Sequence, residues 1–274
     1  MREETVRITN LVTGYAGKTR ERVVSELNDA TLHAGEFTCL LGRNGAGKST
    51  LLKTLSGFLP PVSGNILISG KDITEYGNSE LAKVVGVVLT ERISLGNITV
   101  SDLVSMGRSP YTGFWGHMDE EDKRIVDEAM SLVGINHLRD RMTDTLSDGE
   151  RQKAMIAKAL AQETPLIFLD EPTAFLDYPS KVEMMLLLLK LSRIKGKTVF
   201  LSTHDLELAL QTADNIWLLD KRLGMQTGTP KDLSENGAIS RYFESKGITF
   251  DSSTGLFRIE HAANFAPSPK YSPT

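Results

Sequence analysis

The sequence predicts an α/β fold built around a mostly parallel β-sheet. From Ser147 onward, helical and strand patterns alternate, with helices at 150–162, 180–194 and 205–213 and strands at 165–170, 197–202 and 215–220. Such alternation is typical of βαβ units, whose strands run parallel. Continuous apolar runs such as Val84 to Leu89 favour strands buried on both faces. With 274 residues, of which 40% are hydrophobic, the chain can form one large domain with a small addition.

The first seventy residues predict strands, then a turn and one helix. Strand patterns fall within residues 5–41, where the last strand is the apolar run Phe37 to Leu41. A glycine-rich turn follows, with a helix predicted from Lys48 to Ser56 and another strand at Ile66 to Ile68.

Residues 99–138 carry a helical pattern. It is clearest from Asp119 to Val133, where acidic residues occupy the first turn, apolar residues recur at helical spacing, and Gly134 follows. Between the helices, the segment from Gly107 to His117 is rich in glycine and aromatic residues and predicts a loop.

The C-terminal part predicts a small appendage and a tail. Residues 221–260 favour an appendage with a hairpin around Asp251 to Gly255. Residues 262–274 contain three prolines and several serines, which predicts a disordered tail.

Composition excludes several kinds of function. A net charge of −4 provides no basic field that would attract nucleic acid, so no nucleic-acid partner is expected. Cys39 is the single cysteine, cannot form an intramolecular disulfide, and is expected to be buried.

The N-terminal residues lack an apolar segment, so no signal peptide is expected. The longest apolar stretch, Met184 to Leu189, is far shorter than the roughly 20 residues of a membrane helix. Any membrane association therefore requires a partner.

The turn before the first predicted helix has the pattern of a phosphate-binding loop, G-x-x-x-x-G-K-[ST]. The residues are Gly42, Arg43, Asn44, Gly45, Ala46, Gly47, Lys48 and Ser49, followed by Thr50. Glycines let the backbone wrap an anion with its N–H groups, and the helix adds its positive end. We expect Lys48 to reach the β- and γ-phosphates and Ser49 to hold Mg²⁺. The alternative is a structural turn, which the flanking strand and helix disfavour.

Two acidic residues and one histidine follow apolar strands further along the chain. Asp170 and Glu171 end the run that starts at Leu166, and His204 follows the strand from Thr198 to Leu201. Asp170 suits metal coordination, and Glu171 suits polarising an attacking water as general base. His204 can hydrogen-bond a γ-phosphate or that water. Taken alone, the acids could be surface residues and the histidine structural, but parallel strands end at one sheet edge, which favours a shared site.

With these motifs, the sequence resembles the ABC (ATP-binding cassette) ATPase family over about residues 4–230. Leu146-Ser147-Asp148-Gly149-Glu150 is similar to the family signature Leu-Ser-Gly-Gly-Gln. Asp177 matches the D-loop aspartate and His204 the switch histidine, while Tyr15 stands where the family places an aromatic residue that stacks on adenine. The phosphate loop alone would indicate only a P-loop NTPase, whereas the combination is specific.

The resemblance implies the fold and the mode of action. The fold is expected to be a P-loop NTPase of ABC type, with a mostly parallel core sheet, an N-terminal antiparallel β subdomain and an inserted helical subdomain at about 92–160. The ATPase domain would span 4–230, with an appendage at 231–261 and the tail at 262–274. ATP and Mg²⁺ are the implied cofactors. Two copies would sandwich two ATP molecules, and each γ-phosphate would meet Ser147 and Gly149 of the other copy.

Two positions depart from the family pattern. Asp148 replaces the first glycine of the signature and adds negative charge near the phosphates, which Arg151 could offset unless the side chain points away. Thr90, followed by Glu91, stands where the family has the Q-loop glutamine, which contacts Mg²⁺ and relays to the membrane subunit. Thr90 could offer an oxygen to the metal, Glu91 could substitute, or the role could be lost or filled by water.

Within the family, the segment Gly107 to Tyr111 resembles the subfamily that serves ferric siderophore, haem and cobalamin importers. The implied partners are a second copy, transmembrane permease subunits and, indirectly, a substrate-binding protein, and the implied location is peripheral on the cytoplasmic face of the inner membrane. The permease surface would lie around Thr90 to Gly116, although Tyr111 and its aromatic neighbours could equally pack under a loop. The alternative function is a soluble ABC ATPase that acts on a protein assembly without a permease. The sequence does not reveal the transported substrate.

Overall fold

The structure is a computed structural model that describes residues 3–15, 22–89, 97–113, 116–245 and 247–259. The predicted tail and the residues at the Q-loop position, Thr90 and Glu91, lie outside these ranges. Among the described residues, no helix has both the length and the apolar character needed to span a bilayer.

The strands are β1 (Glu4–Tyr15), β2 (Arg22–Leu27), β3 (Ala30–His33), β4 (Phe37–Gly42), β5 (Ser63–Ile68), β6 (Lys71–Asp72), β7 (Val85–Val88), β8 (Leu166–Leu169), β9 (Thr198–Thr203), β10 (Asn215–Asp220), β11 (Gly224–Gly228), β12 (Ile248–Asp251) and β13 (Leu256–Ile259). The α-helices are α1 (Lys48–Leu55), α2 (Asn78–Leu81), α3 (Val100–Ser105), α4 (Glu120–Leu132), α5 (Asp148–Ala161), α6 (Tyr178–Lys195), α7 (Leu206–Thr212), α8 (Pro230–Glu235) and α9 (Ala238–Phe243). These elements confirm the strands and helices that the sequence predicts, with ends shifted by a few residues.

The larger sheet has six strands in the order β11-β10-β4-β9-β8-β7. The pairs from β10 to β7 are all parallel, and β11 is antiparallel at one edge. Every residue of β4, β8 and β9 is buried, because layers cover both faces of a parallel sheet. The loops that leave β4, β8 and β9 therefore start side by side at one edge of this sheet.

The N-terminal strands form a separate antiparallel sheet, as the family resemblance implies. Strand β1 pairs antiparallel with β2, β3 and β5, and β6 extends the sheet beyond β5. Its inner face shares one apolar cluster with α1 and the underside of the large sheet. This packing holds β2 close to the turn that precedes α1.

Three helices, α3, α4 and α5, form the inserted helical subdomain. Each begins with a capping box. The side-chain oxygen of the N-cap residue accepts from the backbone N–H of the third helical residue, and the carboxylate of that third residue accepts from the backbone N–H of the N-cap. The pairs are Thr99 with Asp102, Asp119 with Asp122, and Ser147 with Glu150. The helix predicted from Asp119 to Val133 is confirmed.

The loop predicted from Gly107 to His117 starts as a buried turn rather than as free loop. Met106–Arg108 forms a 3-10 turn, and Arg108 donates from Nε to Asp122 Oδ1 at 2.8 Å and from Nη1 to Ala161 O at 2.8 Å. These bonds fasten the turn to α4 and to the end of α5. The sequence pattern could not reveal a tertiary anchor of this kind.

The segment after β11 packs on the main core. Leu233, Ile239 and Tyr242 are buried in the same apolar cluster as the large sheet and α6. The predicted hairpin is confirmed, with β12 and β13 pairing through Asp251 and Leu256 at its turn. The domain boundaries at 230 and 261 stay predictions.

Candidate functional site

The glycine-rich turn forms a cradle between β4 and α1. Gly45 and Gly47 have φ values of 76° and 110°, a left-handed region that favours glycine. A Cβ atom on Gly47 would lie 2.9 Å from Cγ1 of Val24, so β2 of the antiparallel sheet leaves no space for a side chain there. The N–H groups of the first turn of α1 have no partner within the helix and are available to an anion.

The start of the turn is fixed by close contact with the neighbouring strand. Gly42 pairs with Leu219 of β10, and a Cβ atom on Gly42 would lie 2.3 Å from Leu219 O. Any other residue at Gly42 would push β4 and β10 apart. The first glycine of the motif therefore serves strand packing as well as the turn.

Lys48 extends from the first position of α1 into a buried cluster. Its Nζ atom donates to Gly42 O at 3.0 Å and lies 3.3 Å from His204 Nε2 and 3.8 Å from Glu171 Oε1. Burial lowers the pKa of Lys48, whereas the charges of Glu171 and Asp170 act to raise it. The ammonium group is thus held away from water beside two carboxylates.

Asp170 and Glu171 follow β8 and are positioned by a serine on β9. Ser202 Oγ donates to Asp170 Oδ1 at 2.6 Å and accepts from the Glu171 N–H at 2.9 Å. Ser49 Oγ also donates to Asp170 Oδ1, at 3.2 Å. Sequence reasoning missed Ser202; its signal was a polar residue inside an apolar strand, two positions before His204.

Glu171 and His204 face each other across the end of the sheet. His204 Nε2 lies 2.6 Å from Glu171 Oε1. Glu171 has a φ of 48°, which costs a non-glycine residue about 1–3 kcal/mol and is concentrated at functional sites. At this position the Glu171 carboxylate lies close to both His204 and the Lys48 ammonium.

The phosphate-binding turn, Glu171 and His204 border one open cavity of about 650 Å³, and Asp170 is not part of its lining. Of the residues predicted to bind nucleotide, the cavity is lined by Tyr15, Asn44, Gly45, Gly47, Lys48, Ser49 and Thr50, together with Glu171 and His204. The Tyr15 hydroxyl lies 3.4 Å from Thr50 Oγ1, which joins β1 to α1. The lining does not include Gly42, Arg43 or Ala46, and it adds four residues that the sequence did not indicate: Arg22, Val23, Val24 and Lys221.

Ser147 and Gly149 do not line this cavity. They lie at the start of α5, where the exposed Ser147 Oγ donates to Glu150 Oε2 at 2.8 Å. Hydrogen bonds from the Ser147 N–H and hydroxyl lower the pKa of Glu150. The cation that bonds Glu150 is Arg141, with Nη1 3.1 Å from Oε1. Arg151, which the sequence suggested as a compensating charge, has a buried Nε atom without a hydrogen-bond partner among the described residues.

The residues fit a nucleoside triphosphate with Mg²⁺. The left-handed glycines Gly45 and Gly47 line the cavity, and Ser49 and Asp170 place a hydroxyl and a carboxylate oxygen 3.2 Å apart. Hard oxygen donors of this kind suit Mg²⁺, which is usually bound by one or two protein groups plus phosphate oxygens.

The possible metal contact at Thr90 lies outside the described residues, as do the rest of 90–96 and residues 114 and 115 of the predicted permease surface. Within that surface, the Tyr111 hydroxyl donates to Gln162 O at 3.0 Å, and the Arg108 guanidinium lies 4.2 Å from the ring centre. The residue is 39% exposed. Tyr111 therefore packs on its own subdomain while presenting an accessible edge.

Comparisons with known proteins agree with this geometry. Residues 27–174, more than half of the chain, match the family described as ABC transporter. The chain is 39% identical to an uncharacterised ABC transporter ATP-binding protein of Methanocaldococcus jannaschii over 256 residues, 93% of this chain and 87% of the relative. It is 37% identical to the ferric enterobactin transport ATP-binding protein FepC of Escherichia coli over 247 residues, 90% of this chain and 89% of the relative.

Two solved structures resemble the fold. A transporter described as metal-chelate type, in an inward-facing conformation, has a TM-score of 0.73 at 30% identity and covers 85% of this chain and 87% of its own. A dimeric ATP-binding cassette in a post-hydrolysis state, bound to ADP and phosphate, has a TM-score of 0.68 at 28% identity. The match covers 79% of this chain and 94% of the cassette. The family match, the extent of these similarities and the converging side chains agree: the chain is an ATPase that belongs to the ABC transporter family.

Proposed function

We propose that this chain is the ATP-binding and ATP-hydrolysing subunit that powers an ABC importer of a ferric siderophore, haem or cobalamin-type substrate. The observation that carries the ATPase part is the convergence of Lys48, Ser49, Glu171 and His204 on one cavity, with Asp170 hydrogen-bonded to Ser49 behind them. The substrate class rests on the similarity to FepC and to the metal-chelate type transporter. The chain would act peripherally, at the cytoplasmic face of the inner membrane. There it would be bound to transmembrane permease subunits, to which a substrate-binding protein delivers the transported substrate.

Nucleotide binding would use the cradle and the aromatic side chain beside it. Tyr15 lies on the cavity wall and is 45% exposed, so its ring offers a stacking surface for adenine. The N–H groups of the turn and the Lys48 ammonium would hold the β- and γ-phosphates. Ser49 and Asp170 would hold Mg²⁺, which supplies neutralising charge to the phosphate oxygens.

Hydrolysis would use the two groups that face each other at the sheet edge. Glu171 would accept the proton of the attacking water as general base, with its carboxylate 3.8 Å from the Lys48 ammonium. His204, 2.6 Å from Glu171, would orient the carboxylate and the water. Ser202 would keep Asp170 and Glu171 in place, because it bonds the side chain of one and the backbone of the other.

The site would be completed by a second copy of the chain. Ser147 and Gly149 lie at the amino end of α5, outside the cavity, so they would reach a γ-phosphate only across a dimer interface. A dimeric cassette with bound ADP and phosphate shares this fold and supports that arrangement. Closure of two copies on ATP, and opening after hydrolysis, would drive the permease.

A Glu171→Gln variant tests the assignment of the base. General-base catalysis contributes about a hundredfold or more, so hydrolysis should fall by at least that factor while ATP affinity persists. The ATP-bound dimer should accumulate in size-exclusion chromatography. Glu183→Gln is a matched control, because it removes a surface carboxylate that pairs with Lys153, and neither residue lines the cavity. Unchanged turnover in Glu171→Gln would exclude Glu171 as the base.

The importer assignment needs its own experiment. The tagged chain is purified in detergent from its native membranes, and the co-purified permease is reconstituted in liposomes with ATP inside or outside. We expect uptake of a ferric siderophore, haem or cobalamin only when ATP is present on the side of the liposome membrane to which this chain is bound. Full ATPase activity with no membrane partner and no uptake would favour the soluble alternative.

A further inference from the structure

A cationic side chain lines the nucleotide cavity and has no role in the steps above. Lys221 is exposed at the end of β10 and belongs to the cavity wall that also contains Tyr15 and Arg22. We propose that Lys221 is a nucleotide-binding residue that contacts the sugar–phosphate part that ATP and ADP share. The inference rests on the proposed nucleotide site and adds a residue that the sequence motifs do not include.

The position of Lys221 follows from the pairing of β10 with β4. Leu219 pairs with Gly42, the first residue of the phosphate-binding turn, and the Leu219 carbonyl leaves no space for a Cβ atom there. Lys221 comes two residues after this contact. Its backbone is therefore tied to the start of the turn that would hold the phosphates.

The chain around Lys221 is held in a tight turn. Asp220 Oδ1 accepts from the N–H groups of Arg222 at 2.8 Å and Leu223 at 3.2 Å. Asp220 pairs directly with Gly224, whose φ of 73° closes the turn. This carboxylate fixes the backbone on the carboxyl side of Lys221, so the side chain starts from a defined point on the cavity rim.

The strand order decides which part of the nucleotide Lys221 meets. β10 lies on one side of β4, whereas β9 and β8, which carry His204 and Glu171, lie on the other side. Because Glu171 would activate the water that attacks the γ-phosphate, the γ-phosphate would lie on the side of β4 that carries Glu171. Lys221 lies on the opposite side, towards β2 and the Tyr15–Arg22 pair of the antiparallel sheet. An ammonium group there faces an anionic ligand at its sugar and inner phosphate.

Nucleotide affinity measured by calorimetry tests the assignment, using ADP and a non-hydrolysable ATP analogue with Mg²⁺. In Lys221→Met we expect both affinities to fall by about two- to fivefold, the size of one exposed charge contact. Lys221→Arg should recover most of the loss, and added salt should reduce the difference between Lys221→Met and wild type. Arg222→Met is the matched control, because it removes the same charge from the next residue, which does not line the cavity.

Three outcomes would overturn the assignment: unchanged affinities in Lys221→Met, an equal loss in Arg222→Met, or a loss confined to the ATP analogue. The last would place Lys221 at the γ-phosphate. Wild-type protein that binds neither nucleotide would instead contradict the proposed function itself. Wild-type binding with an unaffected Lys221→Met variant would contradict only this inference.

Discussion

Ser202 is the residue through which the structure makes its sharpest prediction. It is fully buried on β9, and its hydroxyl joins the two acidic residues that follow β8. In Ser202→Ala, the Asp170 carboxylate loses a donor at 2.6 Å and the Glu171 N–H loses its acceptor at 2.9 Å. The substitution removes one oxygen atom and leaves the strand otherwise intact.

The size of the effect follows from these two bonds. A hydrogen bond to a charged group contributes about 1.5–3 kcal/mol, and a buried N–H left without a partner costs about 1–3 kcal/mol. Because both effects concern one hydroxyl and are not additive, we expect the free energy of unfolding to fall by about 3 kcal/mol. The hydrolysis rate should also fall, since a shift of about 1 Å in a reacting group can cost up to roughly a hundredfold in rate.

The assay compares two buried serines. Ser192→Ala is the matched control, because Ser192 Oγ donates to Gly35 O at 2.9 Å on the side of the sheet away from the cavity and is 2% exposed. Urea unfolding and steady-state ATPase rates are measured for both variants. We expect both to lose stability, but only Ser202→Ala to lose about tenfold or more in kcat at a temperature where both are folded.

Two results would refute this reasoning. Wild-type kcat in Ser202→Ala would show that the serine does not position Asp170 and Glu171. An equal loss of kcat in Ser192→Ala would show that activity follows global stability rather than the geometry of the sheet edge.

Two further predictions concern the cradle and the helical subdomain. Gly47→Ala should weaken nucleotide binding by more than about tenfold in calorimetry, because φ is 110° and the new Cβ would lie 2.9 Å from Val24 Cγ1. Gly134→Ala, with a φ of 74° and nothing within 4 Å, should cost about 1 kcal/mol of stability but bind nucleotide normally; equal binding by both would contradict the cradle. Acid should loosen the helical subdomain first. The pKa values of Asp102 and Glu150 are lowered by hydrogen bonds from their N-cap residues, and that of Asp122 chiefly by Arg108. Their contribution to stability is therefore complete above the ordinary carboxylate pKa of about 4 and is lost as the pH falls through the lower folded values. Amide hydrogen exchange between pH 6 and pH 3 should show α3, α4 and α5 losing protection before β4 and β9, and simultaneous loss would contradict this.

Much of the site was accessible from residue order because its parts are local. The phosphate-binding turn is a contiguous motif whose glycines and lysine define its chemistry. Asp170, Glu171 and His204 were predicted because apolar runs precede them and parallel strands end at one edge. In the structure Ser49 Oγ donates to Asp170, and Lys48 Nζ lies 3.3 Å from His204 Nε2, while the roles of these residues stay predictions.

Other residues depend on contacts that no local pattern encodes. Arg108 was part of a predicted loop, yet it is buried against α4 and α5. Val24 and Lys221 reach the cavity because β2 and β10 pack beside the turn, although each is remote from it in sequence. Ser202 looked like the polar end of a strand before its register with β8 was known.

The sequence by itself determined the family and the candidate site residues of this protein, because glycine spacing, the lysine that follows the glycines and acidic residues after apolar strands express short-range rules of backbone geometry and charge. Tertiary structure alone decided which side chains position that chemistry. Strand register bonds Ser202 to both Asp170 and Glu171 and pairs Leu219 with Gly42, so that Lys221 follows two residues after this contact. Register is a collective result of packing over the whole sheet, so it cannot be read from any one segment.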